Sequence, residues 1–430
     1  MNLQNAKLQT PEQISQLDIS ARRAYPRTMS TPIPQFLNNR TPPKVVTLIL
    51  MAGLSALTMN IFLPSLPAMA LWFDVPYALM QLSVALYLLL SAVLQIIIGP
   101  LSDRFGRRPV LLVSLTIFLI ATIGTLIAPT VGSFLVCRMA QAVIAAGMVL
   151  SRAIVRDVTE DPGQAASMIG YVTMGMTLVP MIGPVIGGYL DQYIGWQANF
   201  GLLLGLGLLV LVLIWADLGE TARPATGGIF QKFLQYPELL RSRSFWGYCL
   251  CAAFASGCFF AYLGGAPYVG NQVFGLTSSE IGKLFALTAV GYASGNFIAG
   301  RFSARVGMNR MVLWGTLATT FGLSALALLT FAGLSGPLVF FGLTIAMGIG
   351  NGMSLPNANA GILSVRPDLA GSASGLGGAI SIGGGAGLAA LAGAILPPGA
   401  TEMPLILLML ASSVASNLAI LTVIRRGQST

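Results

Sequence analysis

The chain has 430 residues, 55% of them hydrophobic and 9% charged, with a mean hydropathy of +0.78. A soluble domain carries about 25% charged residues, so this chain cannot coat a water-facing surface of its size, which excludes a soluble enzyme and points to a polytopic membrane protein. The net charge of +9 comes from basic residues in short groups between apolar runs, a pattern that fits loops facing anionic lipid and not a nucleic-acid partner.

Residues 1–44 are polar and Pro-rich, carry six Lys/Arg and lack the apolar core of a signal peptide. A disordered cytoplasmic tail is expected there, with Met29 a second candidate start. From Val45 the apolar runs come in series, each near the ~20 residues a bilayer needs. The expected spans are 45–69, 77–98, 110–128, 132–151, 166–190 and 197–217, then 244–266, 280–299, 311–331, 336–357, 374–395 and 403–424. The expected fold is an all-α membrane protein of twelve transmembrane helices. An N-terminal six-helix half (45–217) and a C-terminal half (244–424) flank a central cytoplasmic loop (218–243), and a short cytoplasmic tail follows (425–430). Of the 23 Lys/Arg, 21 fall in the tail or in loops on one side, the exceptions being Arg138 within the fourth span and Lys283 at the far end of the eighth. That asymmetry predicts both termini in the cytoplasm.

The halves repeat. Gly99-Pro-Leu-Ser-Asp-Arg-Phe-Gly106 aligns with Gly300-Arg-Phe-Ser-Ala-Arg-Val-Gly307 at an offset of 201 residues, and a weaker echo pairs Asp161–Gly170 with Asp368–Gly377. Two six-helix halves in parallel repeat are the plan of many secondary transporters, with the substrate site between them. There is no His, hence no imidazole for a metal or a proton shuttle. Cys137, Cys249, Cys251 and Cys258 lie in apolar stretches without metal-type spacing and read as small buried hydrophobes. No metal, no cofactor and no enzymatic activity are expected, since acid–base chemistry lacks its groups.

The stretch Gly99-Pro-Leu-Ser-Asp103-Arg104-Phe-Gly106-Arg107-Arg108 resembles the loop signature of the major facilitator superfamily. Its glycines allow a tight turn, and Asp103 can pair with arginines or cap a helix, latching one conformation. In the fourth span, Arg138 and Gln141 resemble the family's Arg-x-x-Gln pattern, with Ala142 where Gly is usual. A charge inside the bilayer normally faces a cavity or a partner. In the fifth span, Gly170 and Gly183-Pro184-Val-Ile-Gly187-Gly188 resemble the antiporter signature of drug exporters, with Val179 in place of one glycine. Small residues at this spacing let helices approach closely. Phe62-Leu-Pro64-Ser-Leu-Pro67, Ala261-Tyr-Leu-Gly-Gly-Ala-Pro267 and Gly291-Tyr-Ala-Ser-Gly295-Asn296 narrow the resemblance to the Bcr/CflA drug-resistance branch, over about residues 45–424.

The resemblance implies a bacterial inner-membrane exporter of small amphipathic drugs, working by alternating access as a monomer and exchanging substrate for protons, so that a proton gradient is its energy source. Asn60, Tyr87, Arg138, Gln141, Tyr262, Asn296 and Asn351 are the candidate polar and aromatic groups of its cavity. Two positions depart from the branch: Asn60 stands where an Asp is common, and Gln197 where Arg often follows Trp196. None of the fourteen acids falls mid-span, so the proton has no obvious carboxylate in the cavity. Transport of a single metabolite, by export or uptake, stays open on that ground, as does a non-transporting receptor or scaffold.

Overall fold

Several helices begin where the sequence offers a cap or a proline. The computed structural model describes residues 37, 38, 41, 43–159, 162–222, 236–366 and 369–427. Span 2 (Tyr77–Phe105) follows Pro76. Span 4 (Val131–Val158) starts behind a reciprocal cap, in which Thr130 and Ser133 each accept the other's backbone N–H. Thr277 and Glu280 do the same for span 8 (Ser278–Val306), and Ser242 accepts from the Phe245 N–H at the start of span 7 (Arg243–Val273). Such caps satisfy backbone donors that a helix start leaves free. The remaining spans are 1 (Val45–Trp72), 3 (Arg107–Leu126), 5 (Pro162–Tyr193), 6 (Gln197–Asp217), 9 (Met308–Phe331), 10 (Pro337–Ser364), 11 (Ala370–Ala394) and 12 (Met403–Gly427).

Ten of these twelve have the length and apolarity to cross a bilayer by themselves among the described residues. Spans 5 and 8 complete the set, packed against each other. Span 1 is interrupted by a 3₁₀ turn at Leu63–Ser65, where Pro64 and Pro67 withhold the N–H groups a continuous helix needs. Span 4 tightens at Ala142–Ile144. Trp72 is exposed at one end of the bundle, while Trp215, Trp246 and Trp314 are exposed near the other. This is the placement of indoles at the two membrane–water interfaces.

Within the first half, span 1 packs on 4, 5 and 6, span 3 on 4 and 6, and span 2 on 4. The second half repeats the plan: span 7 packs on 10, 11 and 12, span 9 on 10 and 12, and span 8 on 10. The halves meet through spans 2 and 11 and through spans 5 and 8, one pair being the image of the other under the repeat. Their close approaches gather at the end of the bundle opposite the basic loops. There a Cβ on Gly188 would overlap the Ser278 carbonyl, and one on Gly282 would overlap the Pro184 carbonyl. Tyr77 donates to Gly264 O (2.5 Å) and Gln81 Nε2 to Ala389 O (2.6 Å), tying span 2 to spans 7 and 11. The molecule is sealed at this far end.

Two expectations are corrected. Residues 99–109 are not a loop. Span 2 stays helical through Phe105, Gly106 alone breaks the path at φ +96°, and span 3 starts at Arg107. Gly307 does the same at φ +90° between spans 8 and 9. Both conformations are costly for a side chain. Leu37 and Lys44, within the expected disordered tail, are held in place: their backbone N–H groups (2.9 and 3.0 Å) donate to Asp217, as does the hydroxyl of Thr47 (2.6 Å) in span 1. Three donors compensate the fully buried Asp217 carboxylate at the end of span 6. Residues 1–36, with Met29, lie outside the described residues.

Candidate functional site

Arg138 is fully buried, and every contact it makes is with the first half. Its guanidinium lies between two rings, 4.4 Å from the centroid of Phe62 and 4.0 Å from that of Tyr87. One Nη donates to Gln141 Oε1 (2.9 Å), one turn along the same helix, and the other to Thr58 O (2.9 Å) of span 1. Gln141 Nε2 continues the chain to Thr122 Oγ1 of span 3 (2.9 Å). No carboxylate pairs with Arg138 among the described residues, and its Nε is buried without a partner, as is Asn60 Oδ1. Two aromatic faces and two acceptors offset part of the cost of burying the cation, and the remainder favours an electron-rich neighbour.

Three of the seven candidate cavity groups therefore belong to one neighbourhood, Arg138, Gln141 and Tyr87, whereas Asn60 faces span 5. Asn60 donates to Ala56 O (3.0 Å) and lies beside Gly183. The other three lie in the second half and do not join this cluster. Tyr262 is fully buried, accepts from Thr288 Oγ1 (3.1 Å) and is ringed by Phe285, Phe340 and Phe341. Asn351 donates to Ala255 O (3.2 Å), and Asn296 only to Tyr292 O in its own helix (2.9 Å).

The repeat relates the two clusters. At the offset of 201, Tyr87 corresponds to Thr288. Spans 4 and 10 begin at Val131 and Pro337, 206 apart, which sets Arg138 against Thr344. Thr288 and Thr344 share a hydrogen bond of 2.8 Å, so a neutral hydroxyl pair occupies in one half the place of a stacked cation in the other.

At the junction of spans 2 and 3, Arg107 is the centre of the latch. It pairs with Asp103 (2.5 Å) and with Asp157 of span 4 (3.0 Å), and also donates to Ser102 Oγ. Glu220, just past span 6, accepts from the backbone N–H of Arg107 (2.9 Å) and more weakly of Arg108 (3.4 Å), so a carboxylate caps span 3 from outside. It occupies the space that a Cβ on Gly106 would need. Arg108 reaches Trp215 O (2.8 Å), Arg104 lies over the Phe105 ring, and Gly99 O accepts from Ser102 Oγ (2.8 Å). In span 5, Gly183 faces Leu57 and Asn60, Gly187 lies against the Ile61 carbonyl, and Pro184 and Gly188 lie against span 8. The surroundings of Gly170 fall outside the described residues.

A helical repeat with a charged latch at one end and a glycine-lined seal at the other defines a multi-pass membrane transporter and not an enzyme. Residues 48–390 match the family model of the Major Facilitator Superfamily, and the chain belongs to that family. It is similar to the chloramphenicol resistance protein of Pseudomonas aeruginosa, with 30% identity over 72% of this chain and 74% of that one. It is also similar to multidrug resistance protein D of Escherichia coli, with 30% identity over 82% and 89%. Among solved structures, a bacterial homologue of the human lysosomal transporter Spinster, in an inward-facing and occupied conformation, superposes with a TM-score of 0.67. That match covers 90% of this chain and 96% of the other at 19% identity, a likeness of fold.

Proposed function

We propose that the protein exports small amphipathic drugs across a bacterial inner membrane by alternating access, as a monomer with both termini in the cytoplasm. The observation that carries drug export over other cargo is the 30% identity to two proteins named for drug resistance over most of the chain. With the basic loops on the cytoplasmic side, the far end is the external one, and the conformation described above is closed to the outside. In this reading the substrate passes between the halves and reaches the Arg138 cluster of the first and the Tyr262 cluster of the second after a rearrangement, since both Arg138 and Tyr262 are fully buried in the conformation described. Proton antiport is weak in this reading, because Asn60 cannot ionise and Arg138 keeps its proton in essentially any protein setting. The substrate's own gradient and charge then supply most of the driving force. A second reading, a single anionic metabolite as cargo, is favoured by one observation: the buried guanidinium has no carboxylate beside it among the described residues.

Drug susceptibility with and without expression, and uptake into vesicles under an imposed pH gradient, test the proposal. Strong accumulation driven by the pH gradient alone would overturn weak coupling. Accumulation of an organic acid and no drug would replace the cargo. Labelling of Asp74→Cys and Gln192→Cys, but not of Arg104→Cys, from outside intact cells is expected. All three positions are exposed on the protein surface, and the reverse pattern would invert the topology.

A further inference from the structure

An apolar groove of about 340 Å³ runs between spans 3 and 6 on the outer surface of the first half. Leu112 and Thr116 of span 3 line it with Leu211, Val212 and Trp215 of span 6. Thr116, Val212 and Trp215 are exposed, so the groove opens toward the bilayer and lies apart from the clusters described above. The Thr116 hydroxyl is turned back onto Leu112 O (2.8 Å) and adds no free donor to the lining. Arg108, Leu112 and Thr116 recur every four residues on one face of span 3, which sets the guanidinium at the basic end of a groove roughly 12 Å long. One Nη of Arg108 donates to Trp215 O (2.8 Å), joining the cation to the lining.

The second half closes the corresponding helix pair. Thr316 donates to Asn417 Oδ1 (2.6 Å), and Thr320 and Ser413 share a bond of 2.6 Å, which ties span 9 to span 12. Under the offset of 201, Leu115 and Leu119 stand at the places of Thr316 and Thr320, so no such clasp forms in the first half. The charge there is uncompensated as well. Arg107 is held by Asp103 and Asp157, whereas Arg108 pairs with no carboxylate among the described residues, and its Nε is buried without an acceptor. Glu220, at the same helix start, is committed to the backbone N–H groups of Arg107 (2.9 Å) and Ala222 (2.8 Å), and more weakly to that of Arg108 (3.4 Å). The exposed Trp215 indole marks this depth as the headgroup level.

We propose that the groove binds an anionic phospholipid of the leaflet on the basic side, one acyl chain lying along Leu112, Leu211 and Val212 and the phosphate on Arg108. This depends on the fold and not on the cargo. Chain burial favours any lipid alike; the guanidinium, a planar fork of donors, selects the phosphate. A zwitterionic headgroup returns a cation beside Arg108, which repels it. The bound lipid does for spans 3 and 6 what the threonines and Asn417 do for spans 9 and 12.

Lipids brominated in their chains quench tryptophan on contact, and the quenching lost in Trp215→Phe, which keeps the carbonyl that holds Arg108, reports the groove. The test uses purified full-length protein in phosphatidylcholine vesicles with a rising fraction of brominated phosphatidylglycerol. At Trp215, phosphatidylglycerol should outcompete phosphatidylcholine by about tenfold. Arg108→Gln should bring that preference below about twofold, while Arg310→Gln, which removes an exposed charge from the second half, should leave it. Arg108→Lys keeps the charge without the fork and should fall between them. Val212→Phe, which narrows the groove, should lower quenching of Trp215 by both lipids. These last two variants carry the test if Arg108→Gln does not purify. Equal quenching by the two lipids, a preference that survives Arg108→Gln, or an equal loss in Arg310→Gln would each overturn the proposal. So would phosphatidylethanolamine matching phosphatidylglycerol, since net charge would then not be what is read. A failed export assay would overturn the cargo and leave this site standing.

Discussion

The junctions at 99–108 and 300–309 share a backbone and differ in nearly everything attached to it. In each, a helix runs to the residue before a glycine, and that glycine takes a positive φ of +96° or +90°. Its N–H returns to a serine carbonyl, Ser102 (3.0 Å) or Ser303 (2.9 Å), and the next helix starts at once. In the first junction Arg107 binds Asp103, Ser102 and Asp157, and Glu220 caps the new helix. In the second, Ala304 and Met308 stand at the places of Asp103 and Arg107, and Ser303 Oγ is buried without a partner. The polar contact that remains is Tyr248 donating to Asn309 Oδ1 (2.6 Å). The glycine break is therefore the architectural part of the motif, common to both halves. The ion pairs around Arg107 are a separate layer, found at the first junction, although the second also carries arginines, Arg301, Arg305 and Arg310.

The largest effect that would break this comparison is on transport. Arg107→Ala, or Asp103→Asn with normal insertion, should lower the transport rate by about tenfold or more, as loss of a coupled ion-pair network does. Ala304→Asp in the second junction should change it less than about twofold. Equal sensitivity of the two junctions would return the charges to a topological role. Asp157→Asn leaves Asp103 in place and should cost several-fold, measured in the same vesicles.

Thermal stability sharpens the contrast further. Ala at either glycine must adopt a positive φ, at a cost of about 1 kcal/mol. At Gly106 the new Cβ must also displace the Glu220 carboxylate, losing a helix cap worth about 1 kcal/mol more. Gly106→Ala should thus lower the melting temperature further than Gly307→Ala, where the added Cβ would meet no atom within 4 Å. Glu220→Ala should cost about 1 kcal/mol without the backbone strain. The smallest effect expected is Tyr248→Phe, about 0.5–1 kcal/mol for one hydrogen bond. Denaturation in detergent, followed by intrinsic fluorescence, ranks all four.

Local and periodic features were legible from residues alone: the spans, the halves, the repeat, and the Arg138–Gln141 pair, whose i,i+3 spacing sets both on one face of a helix. The glycine breaks were visible too, though as loops, because no hydropathy window shows that helix continues to Phe105. What stayed hidden lies far apart in sequence. Asp157 is 50 residues from Arg107, Glu220 is 113 residues away, and Asp217 is 170 residues from Thr47. An acid at the end of a span looks like any solvated loop charge until packing supplies its donors. Nor does a list of polar residues in spans say which of them meet. Tyr87, Arg138 and Gln141 form one neighbourhood, whereas Asn60 faces span 5 and Asn296 bonds within its own helix, its amide reaching the carbonyl four residues back.

The stacked guanidinium gives the two walls of the bundle different electrical characters. A transmembrane voltage does work of about 2.3 kcal/mol on one elementary charge carried across 100 mV. If rocking carries Arg138 through one tenth of that field, the first half does about 0.2 kcal/mol of work per 100 mV. The second half, with Thr288 and Thr344 in the matching place, does none there. Each reorientation then moves a fraction of a charge one way and the return step moves it back, so a full turnover with neutral cargo transfers no net charge, while an energised cell biases the resting orientation of an empty carrier.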